Sequence, residues 1–286
     1  MSSPPRDVKR VQRCVPHRFA EEIPGLRAVN LSASSLGIEP ILVLTEFHMD
    51  RPIFGPHPHA GISVMTYLHP RSAGAFLNRD SLGDHSTIPP GGVHITQAGR
   101  GVHHDEVPLE TGVSAHGFQI WFNHRAADRF VEPRAMHANA HEVPEVADAR
   151  GRVRVLHGQY AGRAAPYRMV TAVTLLHVDL APGATIALPA ERMTFAYGLC
   201  GAALSDGQML HPQTFMAFAV DGTQCEFIAG DDGGEFLFAS AAPLDEPIVY
   251  GGPFVMTTAA QMRETQQRYA HGEMGTLDAL PPRGRR

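Results

Sequence analysis

Lysine is almost missing from this chain: Lys9 is the only one in 286 residues, so arginine carries nearly all the positive charge. The 24 basic residues face 29 acidic ones, a formal net charge of -5. That balance leaves no electrostatic footprint for a nucleic acid, and none is expected as a partner. Cysteine is scarce too. Cys14, Cys200 and Cys225 form an odd set without a CxxC spacing, the usage of a reducing compartment rather than of a disulfide framework. Cys200 and Cys225 read as buried small apolar residues. No run approaches the roughly 18 uncharged apolar residues that a membrane span needs. The opening "MSSPPRDVKRVQRCVPHRF" lacks the apolar centre of a secretion signal. A cytoplasmic chain without membrane contact is the expectation.

Turn formers, in contrast, are plentiful, with 28 Gly and 23 Pro. They punctuate short apolar runs: "ILVLTEF" (41–47), "ISVMTYL" (62–68), "GVHIT" (92–96), "GVHHDEV" (101–107) and "HGFQIWF" (116–122). Repeated strands at this spacing predict a sandwich or barrel. An alanine-, charge- and proline-rich stretch then interrupts the pattern before strand-like runs resume with "RVRVLHG" and "TAVTLLHVDL". The expected division is an N-terminal extension (1–25), a first all-β domain (26–125), a connector (126–165), a second all-β domain (166–275) and a disordered tail (276–286). Thr258 and Gln261, three apart, predict a capping box opening one helix over Ala259–Ala270.

"FGPHPHAGISVMTYLH" (54–69) carries the first chemical signal. On a strand, residues i and i+2 share a face, so His57 and His59 can share one ion while Pro58 points away. With 17 His in the chain, about one such pair arises by chance, so the motif needs company. "AGRGVHHDEVP" (98–108) supplies it: His104 and Glu106 again stand two apart, with His103 and Asp105 on the opposite face. Three imidazoles and one carboxylate suit Fe(II), Mn(II), Co(II), Ni(II) or Cu(II) with open positions more than a closed structural zinc site. On spacing alone, surface or hydrogen-bonded core histidines stay open as the other reading.

The runs "PHPHAGISVMTYL", "NRDSLGD", "IPPGGVHITQAGRGVHHDEVP" and "HGFQIWFN", followed by "EPIVYGGPFVMTTAAQMRETQQRYAHGEMG" (246–275), resemble the pirin family of bicupins over about residues 25–275. The resemblance implies an all-β bicupin of two jelly-roll (double-stranded β-helix) barrels with a short C-terminal helix. It implies one divalent metal in the first barrel, Fe(II) first among Mn, Co, Ni, Cu and Zn, held by His57, His59, His104 and Glu106. It implies no metal in the second barrel, where His177 and His211 stand alone and receive no role. The chain departs from the family at Ala60 and Ser63 (Arg and Glu in the usual motif), at Asn78, at Thr45 of "TEF" and at His103. Ser63 is expected to share the pocket face with the histidines.

The activity implied by the resemblance is that of a quercetin 2,3-dioxygenase, an oxidoreductase that cleaves a flavonol ring with O2, with Glu106 as the base for the hydroxyl proton. The alternative it implies is an iron-binding, redox-responsive regulator acting through a protein partner. Either way the chain is taken as a monomer. Phe54, Met65 and Trp121 are candidates for an apolar pocket wall, with ordinary core as the competing reading. Gln119 and Trp121 alternate with Phe118, Ile120 and Phe122, and one of these two sets faces inward.

Overall fold

The computed structural model describes residues 7–280. Strands alternating apolar and polar residues fold into two barrels. The first is a seven-stranded sheet in the order Arg134–Ala138, Val93–Gln97, Ile62–Leu68, Ala115–Asn123, Ile41–Met49, Leu26–Ser32, Ala20–Ile23. A four-stranded sheet, His57–His59, Val102–Pro108, Phe76–Asp80, His85–Ile88, completes it. The second barrel is built on a nine-stranded sheet whose long strands are Met193–Ser205 and Gln224–Ala241. No helix among the described residues is long and apolar enough to cross a membrane.

The expected N-terminal extension and the expected connector both contain strands. Val11–Pro16, inside the expected extension, runs antiparallel to Thr214–Phe218 and so joins the second barrel's sheet. Residues 1–6 and 281–286, the outer parts of the extension and tail, lie outside the described residues. Within 126–165, Arg134–Ala138 pairs with Val93–Gln97 of the first barrel, and Gly151–His157 pairs with Thr174–Leu180 of the second. Backbone groups satisfied this way need no compensating water.

The main core lies between the barrels. Met65, Tyr67, Phe118, Ile120 and Phe122 from the first pack with Phe195, Tyr197, Leu237 and Ala239 from the second, all buried. This settles the alternation along Ala115–Asn123. Phe118, Ile120 and Phe122 face the other barrel, while half-buried Gln119 and Trp121 face the interior of their own. Ile62–Leu68 is buried along its whole length because both of its faces are covered. Its Met65 therefore belongs to the inter-barrel core, not to a pocket wall. The helix Ala259–Ala270 opens on the expected capping box: Thr258 accepts from the Gln261 amide, and the Gln261 side chain reaches back to the Thr258 amide.

Candidate metal centre

Antiparallel pairing brings the two histidine motifs together. Val102 lies opposite His59, His103 opposite Pro58, and His104 opposite His57. Residues directly opposite share a face, so the rings of His57, His59 and His104 gather on the interior side. Their centroids form a nearly equilateral triangle, 4.9 Å (57–59), 4.8 Å (57–104) and 5.0 Å (59–104). One ligand nitrogen of each lies within 4.8 Å of the other two.

Hydrogen bonds decide which nitrogen each ring offers. His57 Nδ1 lies 2.9 Å from the Gly55 carbonyl and His59 Nδ1 lies 3.1 Å from the Pro253 carbonyl. A carbonyl only accepts, so Nδ1 carries the proton in both rings and Nε2 keeps its lone pair. His104 Nδ1 sits 3.4 Å from Thr96 Oγ1. The Nε2 atoms of His59 and His104 are buried without a partner, a costly state that a cation would relieve. Burial, with His57 adding to it, pushes His59 down to about 3. Burial and the two neighbouring imidazoles hold His104 well below its usual value. At neutral pH these two rings are uncharged lone-pair donors, and the arrangement can hold a divalent metal ion.

Glu106 keeps the strand face shared with His104 that the spacing implied. It lies on the same strand as His104, opposite Asn78, but does not join the group of mutually close ligand atoms. Its Oε2 accepts from Thr66 Oγ1 at 2.7 Å and from Gln119 Nε2 at 3.1 Å. Burial raises its carboxyl to about 7 against the opposing pull of those two bonds. Gln119 Oε1 also accepts from Trp121 Nε1 at 3.4 Å, and the Trp121 ring meets His59 edge-on at 4.9 Å. Trp121 and Gln119 are opposite Val43 and Thr45, whose neighbour Asn30 accepts from Thr45 Oγ1 at 2.7 Å. Val43, Thr45, Gln119 and Trp121 are half-buried and Asn30 is exposed, so solvent reaches this row of side chains beside the site.

Several expectations need correction. Ser63 faces away from the histidines, and its Oγ bonds His124 Nε2 at 2.8 Å. Strand alternation puts it with Met65 and Tyr67, the reverse of the expected face. Phe54 is 51% exposed and Cys200 is exposed, while Cys225 is buried. His103 points outward to Tyr269, with ring centroids 5.5 Å apart. Asp105 also turns away from the site, paired with Arg79. Asn78 is buried opposite Glu106 and donates to Asp84 at 2.8 Å.

Sequence reading missed Thr66, Gln119 and Pro253 as partners of the site, and it missed His94. His94 is buried with neither ring nitrogen hydrogen-bonded. It stands two residues before Thr96 on one strand face, the only signal that could have flagged it.

A second histidine cluster joins the barrels: His69, His177 and Glu235, all buried with close ligand atoms. Its protons are already placed. His69 Nδ1 accepts from the Arg71 amide at 3.1 Å, so its Nε2 carries the hydrogen that meets Glu235 Oε1 at 2.9 Å. Tyr67 Oη lies 2.7 Å from His177 Nδ1, and His177 Nε2 lies 2.9 Å from the same Glu235 oxygen. Arg71 pairs with the other carboxylate oxygen. Burial would raise Glu235, but hydrogen bonds from His177 and His69 outweigh it and keep the carboxyl well below its usual range. With each Nε2 bearing a proton, and a guanidinium on the carboxylate, the cluster is a hydrogen-bonded joint whose imidazole Nε2 atoms have no lone pair free for a cation.

Comparison with known proteins places this geometry in a family. A pirin-like protein of Arabidopsis thaliana is 30% identical over 241 residues, covering 79% of this chain and 77% of its own length. Human pirin is 28% identical over 245 residues, 83% of each chain. The crystal structure of a quercetin 2,3-dioxygenase from Acinetobacter baumannii superposes with a TM-score of 0.84 at 26% identity, covering 94% of this chain and 99% of that one. Residues 42–122 match the Pirin family and residues 175–275 the pirin C-terminal cupin domain. With two barrels in that order and the paired histidine motifs in the first, the chain belongs to the pirin family.

Proposed function

We propose that the protein is a metal-dependent dioxygenase that opens the ring of a flavonol with O2, releasing a depside and carbon monoxide. The observation that carries this reading is the convergence of three histidines, two with anchored Nδ1–H groups, beside a buried carboxyl raised to about 7. Likeness to the Acinetobacter baumannii quercetin 2,3-dioxygenase supports it. His57, His59 and His104 would hold one divalent ion, Fe(II) first among the candidates. When bound, the ion supplies Lewis acidity toward a phenolic oxygen and to O2 chemistry.

The chain's own residues do the rest. Thr66 and Gln119 both bond Oε2 of Glu106, so Oε1 is the oxygen placed to take the flavonol hydroxyl proton. A carboxyl near 7 accepts that proton and returns it without a large barrier at neutral pH. Trp121 gives the open side an apolar edge next to His59, against which a flat ring can lie.

The test is metal content per chain, in wild type and His104→Ala purified without chelators, followed by oxygen uptake with quercetin. About one ion per wild-type chain, lost in the variant, with flavonol-dependent uptake, supports the enzyme. Metal binding without any uptake across a flavonol and catechol panel defeats it.

A further inference from the structure

The C-terminal run "EPIVYGGPFVMTTAAQ" follows the second barrel in sequence, yet it packs on the first. Val249–Gly251 and Phe254–Met256 form a hairpin, and Phe254 bridges Ala60, the residue after His59. The Val255 amide donates to the Ala60 carbonyl at 3.1 Å. Gly61 shows how close this approach is. It has φ +77°, and a Cβ there would lie 1.9 Å from the Val255 carbonyl oxygen, so only glycine fits.

Arg129 stitches the two segments. It is fully buried, and its Nη1 donates to the Gly61 carbonyl at 2.8 Å and to the Val255 carbonyl at 3.1 Å. Its Nε donates to Thr257 Oγ1 at 3.1 Å. Burial lowers this guanidinium to about 10, so it stays charged at neutral pH. At the tip of the hairpin, the Pro253 carbonyl receives the Nδ1 proton of His59.

We infer that this hairpin is a working part of the first barrel's histidine centre. The Pro253 carbonyl sets the tautomer and ring angle of His59, and Arg129 is the positioning residue that holds the carbonyl there through Gly61, Val255 and Thr257. The inference rests on the reading of His57, His59 and His104 as metal ligands. The second barrel's C-terminal extension thereby completes a site in the first, and the two long motifs of the sequence are one structural unit. Groups that orient a ligating imidazole through its other nitrogen characteristically change metal affinity when altered.

The experiment uses Co(II), whose visible bands report ligand geometry, loaded into full-length wild type, Arg129→Lys and Thr257→Val. Affinity is read by chelator competition, and thermal unfolding of each metal-free protein is measured alongside. Arg129→Lys is expected to bind Co(II) about 10- to 100-fold more weakly with shifted bands, and Thr257→Val to weaken it in the same direction by a smaller factor. The metal-free unfolding midpoint of Thr257→Val should stay within a few degrees of wild type. If Arg129→Lys fails to fold, Thr257→Val decides alone. Unchanged affinity and bands in folded variants overturn the inference while leaving the metal site standing. So does an affinity loss matched by lost metal-free stability with the bands unmoved. Wild type that takes up no Co(II) removes the metal reading itself.

Discussion

His59 and Pro253 are 194 residues apart in the chain and joined by one hydrogen bond, 3.1 Å from imidazole Nδ1 to carbonyl oxygen. That bond directs the Nε2 lone pair of His59 toward His57 and His104. It makes the chemistry of the first barrel depend on a turn that follows the second.

The carboxyl of Glu106 gives a pH signature in the metal-free protein. Its folded value, about 7, lies above the ordinary 4.5, so the native state binds the extra proton and stability falls as pH rises between those values. Relative to Glu106→Gln, wild type should lose about 2 kcal/mol between pH 5 and pH 7. Urea unfolding at both pH values, with metal removed, measures it. Equal slopes for the two proteins would show that Glu106 is not raised.

Thr66→Val removes one of the two donors on Glu106 Oε2. Hydrogen bonds to the ionised form lower a carboxyl's pKa, so the variant should titrate higher. The acid limb of the activity profile should move toward alkaline pH, or the stability slope of the metal-free protein should extend above pH 7. A limb displaced toward acid would contradict the assigned bond.

Metal stoichiometry separates the two histidine clusters. His69→Asn and His177→Asn should leave the number of bound ions per chain as in wild type, whereas His57→Asn should sharply lower it. Elemental analysis of purified holoprotein reads this directly. Loss of an ion in the His177 variant alone would reassign the inter-barrel joint as a metal site.

The joint and the core around it should govern stability. Tyr67→Phe deletes the donor to His177 Nδ1 and leaves a buried acceptor unpaired, at about 1–3 kcal/mol. Phe122→Ala opens a cavity between the barrels and should cost about 3–5 kcal/mol. Denaturant titrations give both values, and a Phe122→Ala loss below that of Tyr67→Phe would place the main core elsewhere.

Local pattern carried a large part of this protein. Period-two alternation and Gly/Pro punctuation determine the strands Ile41–Met49, Ile62–Leu68, Val93–Gln97, Val102–Pro108 and Ala115–Asn123, because pleat geometry acts between near neighbours. The same rule places His57 with His59, and His104 with Glu106, on shared faces. Thr258 and Gln261 determine a helix start, since a cap is satisfied within one turn. Tertiary structure decided what alternation leaves degenerate. A strand covered on both sides does not say which face meets the other barrel, so Ser63 and Met65 turned away from the site while Gln119 and Trp121 turned toward it. The register of His104 against His57, the hydrogen bond from Thr66 to Glu106, the carbonyl of Pro253 and the pairing of Val11–Pro16 with Thr214–Phe218 all join residues distant in the chain. Such contacts come from packing and backbone pairing across the fold, which no local spacing encodes.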